Sequence, residues 1–100
     1  MSWAKHAIES LRKGETVKIR PRGHSMRGKV NDGDLVTLQP CDPSTLQPDD
    51  IGLVKVRGRD YLHLIKATNN GRFQIGNNRG HINGWVGPNC IYGKATVIER

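Results

Sequence analysis

Residues 51–76 read "IGLVKVRGRDYLHLIKATNNGRFQIG". Two aliphatic runs, "IGLVKV" and "DYLHLIKA", flank the tight "RGR" turn, and "NNG" leads into a third run, "RFQIG". Short apolar runs separated by glycine and asparagine are the signature of hairpins, so Ile51 to Ile75 is predicted to be a three-stranded meander.

Outward from the meander the same grammar repeats. Upstream, Val17 and Ile19 alternate with Lys18 and Arg20 until Pro21 ends the strand. "GDLVTLQP", bounded by Gly33 and Pro40, is a further strand, and "CDPSTLQPDD" is a loop dense in proline and aspartate. Downstream, "GNNRGHINGWVGPN" is too rich in glycine and asparagine to predict regular structure, and "CIYGKATVIE" closes the chain as a final strand. Only the N-terminus departs from this pattern. From Ser2 to Lys13, Trp3, Ala7, Ile8 and Leu11 share one side at helical spacing, with Ser2 as the capping residue and Gly14 as the stop. A helix of about three turns is not stable alone in water, so Trp3 and Leu11 are expected to dock on the body of the domain or on a partner.

One hundred residues, of which 35% are hydrophobic, fit one domain with a modest core: a helix in 1–14 and a β body in 15–100. Twelve glycines and five prolines agree with many short strands joined by turns. The net charge of +7 favours acidic partners, but the basic residues are interspersed with glycine and apolar residues. With only five aromatics to stack bases, the sequence argues against nucleic acid as the main ligand. Cys41 and Cys90 form no CxxC motif and lie near no histidine pair, so no metal site is indicated, and they pair only if the fold brings them together. No apolar run approaches the roughly 20 residues of a membrane helix, and the N-terminus lacks the apolar centre of a secretory signal. The expectation is a soluble, cytoplasmic protein with reduced thiols and no cofactor.

The chemistry centres on "GHSM", residues 23–26, just after the strand that Pro21 ends. A serine hydroxyl is a weak nucleophile at neutral pH and needs a base within hydrogen-bond reach. His24 is adjacent to Ser25, but neighbouring side chains on an extended backbone point to opposite sides. His63 lies mid-strand on the face of Tyr61 and Ile65, while Lys66 shares the other face with Leu62 and Leu64. One of these two faces the serine unless a bulge intervenes. An imidazole of ordinary pKa ~6.5 is ready to accept a proton at pH 7, whereas an amine near ~10.4 must first be desolvated. The oxyanion of an acyl transfer would lie against backbone N–H groups around Ser25, where Gly23 permits close approach, each donor contributing about 3 kcal/mol.

The order "GHSM", "DGDLV", "DIGLVKV", "YLHLIKA", "GNNRG", "YGKATVIE" resembles the peptidase superfamily of signal peptidases and LexA-type self-cleaving repressors. The resemblance covers roughly Val17 to Glu99. It implies coiled β-sheets with a partial barrel, Ser25 as nucleophile, Met26 near the substrate cleft together with Gly23 and His24, and Gly33–Asp34 as a turn. It implies His63 as general base, the position being lysine in bacterial signal peptidases, with Lys66 the alternative. Asn77, Asn78 and Arg79 fall on the loop that supports the active site, although Asn77 stands where signal peptidases carry aspartate. The proline usual two residues after the serine is absent, and Leu64 replaces the arginine of the histidine-type members.

The resulting expectation is a serine endopeptidase acting on a protein or peptide substrate. Its rivals are a catalytically silent relative that binds a peptide in the same cleft, and a basic nucleic-acid module.

Overall fold

Arg57 and Gly58 close the first hairpin, and Asn70 and Gly71 the second, all four with positive φ (51°, 80°, 50° and 78°) in the computed structural model, which describes residues 3–22 and 26–100. Two consecutive positive φ angles make type I′ turns, whose twist matches that of the strands they join. They fix the registers Val56↔Arg59 and Asn69↔Arg72, so the meander read from the sequence is present. Its strands are β3 (Ile51–Val56), β4 (Arg59–Asn69) and β5 (Arg72–Gly76).

The fold is mainly β. Before the meander come α1 (Lys5–Arg12), β1 (Val17–Ile19) and β2 (Leu35–Gln39); after it come β6 (Ile82–Val86) and β7 (Ile91–Glu99). All pairings are antiparallel, in the order β1-β2-β7-β3-β4-β5-β6, so the last strand is inserted between β2 and β3. Three strand spacings separate β6 from β3, roughly 14 Å in a flat sheet. Yet a Cβ placed on Gly84 of β6 would lie 3.6 Å from Val56 Cγ1 of β3. The sheet therefore curls strongly, without pairing β1 to β6 to close a barrel.

Alternation along the central strands sorts the apolar residues into two clusters. Val36, Leu38, Leu53, Leu62 and Leu64 pack with α1, Met26 and Val30; Val54, Val56, Ile65, Phe73, Ile75, Val86 and Ile91 pack inside the curl. Helix α1 buries Ala7, Ile8 and Leu11, with Ala4 buried just before it, and burial of Ile8 and Leu11 contributes roughly 1.5–3 kcal/mol each. The helix comes so close to β7 that a Cβ on Gly93 would sit 2.9 Å from both Leu11 methyl carbons.

Three sequence expectations are corrected. The helix begins at Lys5 after Ala4, which makes no side-chain cap, and the expected capping residue Ser2 lies outside the described residues. Leu11 docks on the body, but Trp3 is not buried on it: Trp3 precedes the helix in a turn, stands 52% exposed, and Ala4 takes the inward place. Within 76–89, Ile82–Val86 is a strand, because its backbone pairs with β5 whatever its side chains prefer.

Candidate functional site

β4 is longer than β5. Leu64 pairs with Gly76 at the end of β5, and the preceding part of β4, residues 59–63, pairs only with β3 among the described residues. Beyond the end of β5 a cleft of about 290 Å³ opens, lined by Leu62 and His63 from β4 and by Met26 and Val30 from the segment after Ser25. Met26, Val30 and Leu62 belong to the cluster packed with α1, while Tyr61, also in the lining, packs against the inner cluster. Arg20, Arg22 and Trp3 form its rim.

His63 is buried, and Nδ1 lies 2.8 Å from Asn83 Oδ1. β5 ends here in a bulge, since Ile75 pairs with Gly84 and Gly76 with Ile82, leaving Asn83 as the extra residue. A bulge re-aims the side chain it carries, and this one brings Asn83 to a histidine twenty positions away in sequence. An amide oxygen can only accept, so Nδ1 carries the hydrogen and Nε2 is the basic nitrogen. Desolvation pushes the His63 pKa below its ordinary 6.5; the Asn83 hydrogen bond opposes this, and the charge of His81 adds to it. The imidazole is thus kept neutral at pH 7. Tyr61 supports it from the side, with ring centroids 4.8 Å apart.

Lys66 occupies a second bulge, between the pairs Ile65↔Ile75 and Ala67↔Gln74. Its Nζ donates to the Asn77 carbonyl at 3.2 Å, and Lys66 takes no part in the cleft wall. Asn77 itself is a loop former: Oδ1 accepts from the Arg79 and His81 N–H groups at 2.8 and 3.0 Å. Asn78 reaches the segment after Ser25, its Nδ2 donating to the Arg27 carbonyl at 2.7 Å. Arg79 is exposed. Of the "NNR" loop, Asn78 is the residue that bonds to the chain beside the cleft among the described residues.

Residues 26–34 are tied down by local bonds. The Met26 carbonyl accepts from Lys29 and Val30, Asn31 Oδ1 from Gly28 N–H at 2.9 Å, and Asp34 Oδ2 from Asn31 N–H at 2.8 Å. Asp34 is buried and pairs with Arg100 at 3.6 Å. This is how the "GD" turn, with Gly33 N–H bonded to the Pro21 carbonyl, fixes both ends of the loop. Met26, 4% exposed, anchors the loop in the core while facing the cleft. Gly23, His24 and Ser25 lie outside the described residues.

Cys41 and Cys90 are free thiols on the rim of the inner core, and burial pushes the Cys41 thiol pKa up, which makes it less reactive. Among the described residues no group of three or more His, Cys, Asp or Glu converges to hold a metal ion, and no helix is long and apolar enough to cross a membrane. Asn83 is the residue that sequence reasoning missed. It sits in a stretch read as irregular, and nothing in its local pattern points to His63. Comparison with family models, with curated proteins and with solved structures gives no match.

Proposed function

We propose that this chain is a serine endopeptidase in which Ser25 is the nucleophile, His63 the general base and Asn83 the residue that orients the base. The observation carrying this reading is the 2.8 Å contact of Asn83 with His63, which stands in the wall of a cleft that Met26, the residue after Ser25, also lines. The ordered motifs shared with signal peptidases and LexA-type repressors support it from the sequence.

In the reaction, Ser25 Oγ bonds to the carbonyl carbon of the scissile peptide as His63 Nε2 takes the hydroxyl proton. The tetrahedral intermediate collapses, the C–N bond breaks, and the imidazolium returns its proton to the leaving amine. Water, deprotonated by the same nitrogen, then hydrolyses the acyl ester and regenerates Ser25. Proton transfer of this kind contributes typically about 10²–10⁴-fold. Asn83 holds ring and tautomer in place, though as a neutral amide it stabilises the imidazolium less than a carboxylate does. The substrate is a protein or peptide, processed in the cytoplasm.

A second reading, a peptide-binding relative without turnover, draws on that same amide in place of a carboxylate. Labelling with a fluorophosphonate separates the two. The peptidase reading expects covalent modification of the wild type, lost in Ser25→Ala and in His63→Ala, with circular dichroism reporting that both variants remain folded. A folded wild type that resists the probe, or a His63→Ala variant that labels at the wild-type rate, overturns it.

A further inference from the structure

Tyr61 lines the cleft described above and also a second depression of about 300 Å³, whose wall includes Arg57, Arg59, Ile82 and Asn83. His63 and Asn83, hydrogen-bonded to each other, stand one in each. The two hollows adjoin at Tyr61 and at the hydrogen-bonded His63–Asn83 pair, and together they form a groove in two parts. Arginines stand at both ends: Arg20 and Arg22 beside the first hollow, Arg57 and Arg59 beside the second.

From this we infer that the groove binds an extended acidic peptide, with carboxylates on both sides of the segment that crosses His63. The inference rests on the peptidase reading for its orientation but not for the binding itself. All four arginines are exposed, and among the described residues none of them makes a salt bridge. Arg20 is nevertheless held in place, Nη1 donating to the Gly33 carbonyl at 2.9 Å, and the guanidinium of Arg57 lies over β6, about 4.0 Å from where a Gly84 Cβ would be. A positioned guanidinium suits a carboxylate, which it can grip through two parallel hydrogen bonds. The one carboxylate in the groove, Asp60, has Lys55 3.6 Å away, so the lining keeps its positive balance. A nucleic-acid strand fits less well. Base stacking along a strand needs several open ring faces, and of the two aromatics lining the groove among the described residues Tyr61 is packed against His63, leaving Trp3 at the rim.

The test uses Ser25→Ala protein, which cannot turn a peptide over, and fluorescence anisotropy with a labelled peptide of about ten residues rich in Asp and Glu. Its partner probe is the same peptide with Asn and Gln in those places. The acidic peptide is expected to bind about tenfold tighter, with the difference shrinking at about 0.5 M salt. Arg22→Gln, and separately Arg57→Gln with Arg59→Gln, should each weaken it about fivefold, while Lys18→Gln, an exposed charge on β1 that lines neither hollow, leaves it unchanged. Thermal melts show whether each variant is folded. Equal binding of the two peptides, an equal loss in Lys18→Gln, or tighter binding of a single-stranded oligonucleotide overturns the inference. Charge-selective binding by a protein whose serine never labels leaves this groove standing and removes the peptidase reading; labelling without charge preference does the reverse.

Discussion

His63 on β4 and Asn83 on β6 meet past the end of β5, Nδ1 to Oδ1 at 2.8 Å, although β5 lies between their strands in the sheet. The meeting depends on two features at one place: β5 stops at Gly76, and the bulge opposite it frees Asn83 from the ladder. On the proposed peptidase reading, Asn83→Ala should lower kcat by about tenfold to a hundredfold while moving KM little, because orientation of the base is lost and the arginines beside both hollows remain. Asn83→Asp should raise the pKa of His63 and shift the acidic limb of the rate profile to higher pH. A purely structural role for Asn83 would leave that limb in place.

The buried, uncharged state of His63 makes stability pH-dependent and, on the proposed dyad, activity as well. Its folded pKa is depressed below 6.5 by desolvation, so in mild acid the unfolded chain binds a proton that the folded chain resists. The contribution of this group to stability is complete above pH 6.5 and falls as pH drops from there toward the lower folded value. Chemical denaturation at a series of pH values should show that slope in the wild type and lose it in His63→Gln. The acidic limb of kcat/KM should likewise lie below pH 6.5.

Lys66 donates to the Asn77 carbonyl and stays out of the cleft wall. Lys66→Met should keep serine labelling near the wild-type rate while lowering stability by about 1 kcal/mol. Abolished labelling in a folded Lys66→Met protein would instead make lysine the base.

Asn78 clamps the segment after Ser25 through the Arg27 carbonyl at 2.7 Å, across 51 residues of sequence. Asn78→Ala removes that bond and should cost about 1 kcal/mol by denaturant titration. Labelling of Ser25 should slow as well, since the loop that follows the serine loses its tether.

The close approach of α1 to β7 yields a stability prediction remote from the cleft. A methyl at Gly93 would stand 2.8 Å from the Gln39 carbonyl oxygen and 2.9 Å from the Leu11 methyl carbons. Gly93→Ala should destabilise by about 1–3 kcal/mol, since the backbone oxygen has no room to retreat. Pairing it with Leu11→Ala should recover part of that loss, which a double-mutant cycle measures.

Much of the scaffold can be read directly from the residues. Period two in "VKI", the Gly33 and Pro40 that bound "LVTLQ", the "RG" and "NG" turns and the aliphatic runs at 51–56 and 61–65 determine which segments are strands. Those signals are local, carried by neighbours in the chain and by the backbone angles that particular residues tolerate. Tertiary structure alone decides that Ile82–Val86 joins the sheet, that β7 enters between β2 and β3, and that His63 finds Asn83 instead of a carboxylate. Each of these depends on a partner distant in sequence: a strand edge supplies hydrogen bonds to any backbone laid against it, and a side chain's burial and pKa are set by what the curl of the sheet brings beside it.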